Sequence, residues 1–180
     1  AVDVLAGVYQ LMLAEEQKSG TIELLVTKPV TDWQIIAGKF LAAFLLICVA
    51  LALTLPYYFT VASIGKADHG AIWMGYLGLL FMSASYISIG LFTSGITTNQ
   101  IVAFLAALFI GIFFHLVFGL VSSSMGGWFS SLLGYLSLGT HYESMARGVI
   151  DTKDLIYFLS IIVAGLLGTE LVLSRRRGTN

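Results

Sequence analysis

The chain has 180 residues, of which 58% are hydrophobic and only 11% are charged, and its formal net charge is −1. A soluble domain has about 25% charged residues, so much of this surface must face lipid. The chain has no basic stripe that would indicate nucleic-acid binding. Its single cysteine, Cys48, excludes an internal disulfide and a CxxC metal or redox motif.

The first fourteen residues, AVDVLAGVYQLMLA, are too short to cross a bilayer and contain Asp3. They lack the basic start and the small-residue cleavage site of a signal peptide. We interpret them as the end of a helix that begins before Ala1. The expectation is therefore an N-terminally truncated membrane protein.

Residues 15–39 are predicted to contain a short amphipathic helix before the first membrane span. Gly20 can end the incoming helix, Thr21 can begin a new one, and Pro29 disfavours helix at Lys28. The new helix is about two turns long. Its apolar face consists of Ile22, Leu25 and Val26, with Leu24 at the flank. Such a face suits lipid and a groove of a soluble partner equally well.

Four later runs are apolar and long enough to cross a membrane: residues 40–64, 71–92, 101–121 and 155–173. Only the last contains an Asp, Glu, Lys or Arg residue, which is Glu170. Backbone groups cannot remain unpaired in lipid, so these runs should be helices. Pro56 should kink the first run, because it frees the carbonyl of Ala52. The sequence predicts an all-α, polytopic membrane helix bundle with a single transmembrane domain.

The connections contain patterns that predict helix starts. Three stretches fit a capping box: Thr31–Gln34, Thr97–Gln100 and Thr140–Glu143. Between the third and fourth runs, residues 122–154 contain two apolar stripes at helical spacing. The first is Trp128, Leu132 and Leu136, and the second is Tyr142, Met145, Ala146 and Val149, with Gly148 as a possible end. We predict two short helices that lie on, or dip into, the outer membrane surface.

Lysine and arginine placement predicts the orientation, because basic residues favour the cytoplasmic side. Residues 15–39 contain three lysines and the end of the chain contains Arg175, Arg176 and Arg177. Four spans place these two groups on the same side, and the opposite side receives Lys66, Arg147 and Lys153. The first group is larger, so residues 15–39 and the C-terminus are predicted to be cytoplasmic.

Several stretches resemble ABC-2-type transporter permeases, in particular the gliding-motility permease subgroup. The most specific is EEQKSGTIELLVTKPVTDWQIIAGKF, and others are IGLFTSGITTNQIVAF, YLSLGTHYESMARGVIDTKDLIYF and LVLSRRR. They occur in collinear order and the similarity covers nearly the whole chain.

This resemblance implies a six-helix permease of which four full spans are present. It implies a dimer with a second permease copy or homologue, in the bacterial cytoplasmic (inner) membrane, coupled to an ABC ATPase that binds the ATP. The coupling segment would comprise Glu15, Glu16, Gly20, Thr21, Ile22, Glu23, Leu24, Leu25, Val26 and Pro29. The outer helices would include Trp128, His141, Glu143 and Arg147. No nucleic acid, metal or cofactor of its own is implied.

Catalytic patterns are missing from the sequence. There is no GxxxxGK[ST] phosphate loop, no HExxH or other ligand spacing among His69, His115 and His141, and no GxSxG motif. A polar residue at membrane depth is a functional candidate, but we expect an interhelical hydrogen bond for His115. Serines such as Ser88 should permit close helix contact.

The remaining charged residues have structural interpretations. Glu143 and Arg147 are spaced to pair on one helix face. Asp151 and Asp154 suit the first turn of the fourth span, and Glu170 should extend toward the nearby arginines. The alternatives to a permease are a secondary transporter or channel, which usually has ionisable residues within the membrane, a membrane enzyme, or an anchor that only recruits the ATPase.

Overall fold

The computed structural model describes residues 31–65, 68–124, 126–149 and 151–178. Every regular element in these residues is helical. The helices are α1 (Asp32–Ala52), α2 (Leu55–Ile64), α3 (His69–Ile96), α4 (Gln100–Ile112), a π-helical turn (Phe113–Val117), α5 (Phe118–Ser124), α6 (Trp128–Leu136), α7 (Leu138–Ala146) and α8 (Thr152–Gly178).

Four helical stretches are long and apolar enough to cross a membrane: Asp32–Ile64, His69–Ile96, Gln100–Ser124 and Thr152–Arg175. They contain the four runs predicted from the sequence, and each extends beyond its run. We call them the first to fourth spans. The predicted all-α membrane bundle is therefore confirmed.

The second span, α3, is the centre of the bundle, and it packs against α1, α4, α7 and α8. Its contact with α8 is very close, because a Cβ atom added at Gly165 would lie 2.8 Å from the Ser88 side chain. Ser88 Oγ donates to its own helix at the Ser85 carbonyl (2.8 Å) and also lies 3.4 Å from the Ile161 carbonyl of α8. Small residues of the second span therefore do permit the close helix packing that the sequence predicts.

The first span is broken, as Pro56 predicts. Helix α1 ends at Ala52 and Pro56 lies in the first turn of α2, where a missing N–H costs nothing. Thr54 Oγ donates to the Leu51 carbonyl at 2.6 Å. Its only hydrogen is then used, so the 2.7 Å contact with Tyr76 is donated by the tyrosine hydroxyl. The break in the first span is therefore hydrogen-bonded to the second span through Thr54 and Tyr76.

One of the three predicted helix starts is confirmed and two are wrong. Thr31 precedes α1 and its backbone N–H donates to Gln34 Oε1 at 3.1 Å. Thr97 instead ends α3, and the cap of α4 is Asn99, whose Oδ1 accepts from the Ile101 and Val102 N–H groups. The asparagine lies directly before the helix and reaches both donors, so a threonine two residues earlier is not needed.

The third predicted box, Thr140–Glu143, is displaced in the same way. Ser137 Oγ accepts from the Thr140 N–H at 3.3 Å, so α7 begins at Leu138 and Thr140 lies inside its first turn. Gly148 adopts a φ of +87°, which favours glycine, directly after the end of α7. The predicted end of this helix is therefore confirmed.

Helices α6 and α7, which we call the hairpin (residues 128–146), fold back along the third span. Ser122 and Ser130 exchange hydrogen bonds, with each hydroxyl donating to the other residue's carbonyl at 2.8 and 2.6 Å. Further along, Ser137 lies against Gly119, and a Cβ atom at Gly139 would be 2.9 Å from the His115 carbonyl. The turn of the hairpin is therefore about 10 Å back from Ser124, at 1.5 Å per residue.

Candidate functional site

The predicted coupling segment, Glu15 to Pro29, lies outside the described residues. The structure therefore bears only on the predicted sites of the hairpin. Trp128 begins α6 and its side chain is 79% exposed. Glu143 and Arg147 are also exposed, and no ion pair joins them in the described part of the chain. Of the four predicted hairpin residues, only His141 has a buried side chain.

His141 lies on α7 and pairs with Asp154 in the first turn of α8. Its Nδ1 is 2.6 Å from Asp154 Oδ1, and the residues are only 5% and 1% exposed. Its other ring nitrogen, Nε2, is 3.0 Å from the backbone carbonyl of Tyr135 near the end of α6. One imidazole thus links three helices, because it contacts the last turn of α6, belongs to α7 and pairs with α8.

Aromatic side chains surround the imidazole. The Tyr157 ring stacks on it with a centroid distance of 3.9 Å, and the Phe158 ring meets it edge to face at 6.3 Å. The Tyr157 hydroxyl donates to the Leu136 carbonyl. The final carbonyls of a helix have no partner within that helix, so Tyr157 and His141 together satisfy two of those that end α6.

One of the apolar clusters of the bundle lies next to the pair, because Phe158 belongs to this cluster and contacts the imidazole. Its fully buried members are Leu138, Met145 and Phe158, and Met82 of the second span joins them. Phe158 also stacks on Phe81 at 6.2 Å. The hairpin is therefore packed against α3 and α8 by apolar contacts, and the buried His141–Asp154 pair adds an ionic contact between α7 and α8. Asp154 has a second oxygen, Oδ2, that is buried and has no hydrogen-bond partner among the described residues.

The neighbouring acid, Asp151, has a different environment. It precedes α8, and its Oδ1 accepts from the Lys153 N–H at 3.1 Å, which confirms its predicted place at the start of the fourth span. Its Oδ2 pairs with Lys153 Nζ at 2.8 Å at the surface. The hydrogen bond from the Lys153 side chain holds the pKa of Asp151 below its ordinary value. The carboxylate is therefore retained to lower pH, and any stability it adds is lost only as the pH falls through this lowered pKa.

The sequence did not predict the His141–Asp154 pair. Asp154 was placed correctly in the first turn of α8, but only as an acid that favours a helix start. His141 was placed in the hairpin without a partner. Thirteen positions and two helix ends separate the residues, so no helical spacing brings them together. The sequence shows only that one ionisable residue precedes Gly148 and the other follows it. This arrangement by itself does not indicate that the two side chains are in contact.

Among the described residues, His115 has no hydrogen-bond partner on another helix, contrary to the prediction. It lies in the π-helical turn of the third span, and its Nδ1 is buried without a partner in the described residues. Its nearest ring is Tyr86, tilted at a centroid distance of 6.3 Å. The backbone of this π-helical turn lies close to α7, because a Cβ atom at Gly139 would be 2.9 Å from the His115 carbonyl.

No three His, Cys, Asp or Glu side chains come together as a metal site in the portions of the chain that the structure describes. The hairpin region therefore offers a buried acid–imidazole pair, aromatic packing and helix-end hydrogen bonds. These groups can hold a proton and fix the position of the hairpin.

Comparison with known proteins agrees with this architecture. The chain matches the family described as ABC-2 family transporter protein over residues 9–154, which is most of its length and includes the first three spans and the hairpin. No curated protein matches the chain at a significant level. Four apolar helices and this match show that the chain belongs to the ABC-2 transporter family and is a multi-pass membrane component of an ABC transporter.

Proposed function

We propose that the chain is the permease subunit of an ATP-driven transporter whose ATPase is a separate polypeptide. The observation that supports this most is the family match, which extends from residue 9 to residue 154 and so includes the coupling segment. The sequence itself contains no phosphate-binding GxxxxGK[ST] loop. ATP would therefore be bound by the partner subunit, and this chain would contribute the path across the membrane.

The mechanism we propose is alternating access in a dimer of permease subunits. Closure of the ATPase subunits would push on the helix around residues 22–26 and tilt the four spans. Exposed apolar side chains along the first and third spans, among them Leu45, Val49, Leu105 and Phe109, suit contact with lipid and with a second permease copy. The location we propose is the bacterial cytoplasmic membrane. The resemblance to gliding-motility permeases supports that subgroup, and it does not identify the substrate.

The sharpest test concerns the short helix that would dock into the ATPase. The sequence predicts that Leu25 belongs to its apolar face, so Leu25→Asp would place an unpaired charge in a buried contact, which is costly. Loss of a buried anchor often costs at least about 2 kcal/mol, or roughly thirtyfold in affinity. We expect the full-length variant to enter the membrane normally but to lose the ATPase during purification in detergent.

Thr27→Asp is the matched control. It adds the same charge two residues later, about 200° around the helix from Leu25, and should leave the ATPase bound. If the helix rests on lipid instead, both variants retain the ATPase, because the spans hold the permease in the membrane. Undiminished recovery of the ATPase with Leu25→Asp would falsify docking by this helix.

The rival class, a secondary transporter, has one structural observation in its favour, the buried His141–Asp154 pair. Ionisable residues within a membrane often serve ion coupling. Transport into proteoliposomes separates the two classes. The permease requires ATP and its ATPase, whereas a proton-coupled carrier moves substrate with a pH gradient alone.

A further inference from the structure

The hydrogen bonds of His141 fix how many protons its pair with Asp154 contains. A backbone carbonyl can only accept, so Nε2, which faces the Tyr135 carbonyl, must bear a hydrogen. Nδ1 then either bears a second hydrogen and donates it to the Asp154 carboxylate, or accepts one from a protonated carboxyl group. Both arrangements place one proton between Nδ1 and Oδ1, and both have a net charge of zero.

Removal or addition of a proton leaves a buried net charge at this position. Without the shared proton, the Nδ1 lone pair faces a carboxylate oxygen at 2.6 Å, and the carboxylate has a second buried oxygen without a partner. With an extra proton, the pair becomes an imidazolium next to a neutral acid. Burying a charge without a partner is expensive, so either change opposes the packed arrangement.

The nearest charged groups, Asp151 and Lys153, have opposite charges and together add no net charge beside the pair. On α8, Asp151 and Lys153 pair with each other at the surface, and Tyr157 donates to a backbone carbonyl. On the hairpin and directly after it, the titratable and charged residues are Tyr135, Tyr142, Glu143 and Arg147, and all of these except Tyr142 are exposed. From α3 and the third span come Tyr86 and His115, whose ring centroids lie 6.3 Å apart.

We propose that His141 and Asp154 form a proton-binding site, and that the single bound proton keeps the hairpin docked on α8. His141 connects the end of α6 to the start of α8. Loss of its contact with Asp154 therefore weakens the attachment of both helices of the hairpin to α8. Because loss or gain of the shared proton opposes docking, the docking of the hairpin is sensitive to pH on the side of the membrane where the hairpin lies. This inference does not depend on the proposed function, since it concerns docking and not transport.

Substitutions at Asp154 distinguish the effect of the shared proton from the effect of the hydrogen bond to His141. Asp154→Asn retains a bond to His141, because the amide N–H can donate to Nδ1 while Nε2–H still donates to Tyr135. The pair of His141 with this asparagine has no net charge, and both ring nitrogens keep a hydrogen bond without a shared proton. Asp154→Leu removes the bond and leaves Nδ1 buried and unpaired. His141→Phe with Asp154→Leu replaces the whole pair by apolar side chains and shows whether the hairpin folds without it.

Asp151→Asn is the matched control for a lost carboxylate. It removes the same charge three residues earlier, at the surface, and asparagine remains a good helix cap. It should therefore change neither the docking of α7 nor its dependence on pH.

Hydrogen exchange of the full chain in detergent, followed by mass spectrometry, measures the docking directly. Exchange of peptides from residues 138–146 is compared between variants at the same pH, so that the intrinsic exchange rate cancels, and peptides from residues 83–94 report whether the bundle is folded. At pH 7 we expect Asp154→Leu to exchange about tenfold faster or more in residues 138–146 and Asp154→Asn to resemble the original chain.

The decisive result is the pH series from 5 to 10. As the pH rises, the original chain should lose protection in residues 138–146 relative to Asp154→Asn, and the double variant should not show this loss. A ratio between the original chain and Asp154→Asn that stays constant over the series would overturn the proposal, because the contact would then be a fixed hydrogen bond. Unchanged exchange in Asp154→Leu would overturn it as well.

Discussion

At the scale of single residues, the position of Gly165 decides how closely the second and fourth spans approach. A Cβ atom there would lie 2.8 Å from both side-chain atoms of Ser88 and 2.9 Å from its backbone carbonyl carbon. Backbone atoms cannot move aside as a flexible side chain can. The contact between α3 and α8 therefore depends on a residue without a side chain on α8 and a small one on α3.

Gly165→Ala tests this contact. The added methyl group must push the two spans apart, and overpacking of this kind costs about 1–3 kcal/mol. We expect a lower apparent melting temperature in detergent. Gly75→Ala is the control, because nothing lies within 4 Å of a Cβ atom there, and alanine favours a helix over glycine. Equal melting temperatures for the two variants would contradict the close contact.

At the scale of elements, side-chain oxygens before the helices decide where they begin. Asn99 caps α4 with two accepted hydrogen bonds, at 3.0 and 3.4 Å. Ser137 caps α7 and Asp68 caps α3 in the same way, each by one bond to the N–H three residues later. The helix starts of the bundle are thus set locally, by residues whose side chains reach the first free N–H groups.

Asn99→Ala should shorten or loosen the start of α4. The loss of a cap costs about 1 kcal/mol, and we expect faster hydrogen exchange in residues 100–104 without a change in α8. Asn99→Asp restores the accepting oxygen and should restore the protection. If alanine and aspartate behave alike at this position, the cap does not contribute to the start of the third span.

Across the whole molecule, exposed tyrosine and tryptophan side chains lie near the ends of the spans. Trp33 lies in the first turn of the first span. Tyr57 and Trp73 flank the connection between the first and second spans, and Trp128 and Tyr135 lie on the hairpin that follows the third span. Tyrosine and tryptophan favour the interface between membrane and water. Aromatic residues occur at both interfaces, so their placement fits the two membrane boundaries. The predicted orientation rests on the lysine and arginine placement, with the RRR sequence of residues 175–177 in the cytoplasm.

Single cysteines test the orientation in cells. After Cys48 is replaced, we expect an impermeant thiol reagent to label Ser124→Cys from outside. Thr98→Cys and Thr179→Cys should be labelled only after the membrane is opened. Each of the first two positions lies beside a span and is exposed. Labelling of position 98 or 179 in intact cells would show that the orientation is reversed or that a span is missing.

The sequence alone was enough to predict the four spans and the two short helices of the hairpin. The apolar runs, the broken helix at Pro56, the two stripes of the hairpin and its end at Gly148 were all predicted, because each depends on residues adjacent in the chain or one turn apart. The same patterns misplaced two caps, at Thr97 and Thr140. A threonine followed three residues later by an acceptor is common near helix starts. In these two places the N-cap is instead a neighbouring residue, Asn99 for α4 and Ser137 for α7.

Which polar residues contact one another could be seen only in the folded chain. His141 and Asp154 belong to different helices, and their contact exists because Leu138, Met145 and Phe158 pack the hairpin against α3 and α8. The same packing left His115 without its expected partner and brought Gly165 onto Ser88. Contacts between helices depend on the angle and depth at which whole faces pack, and a pattern within one helix contains no information about either.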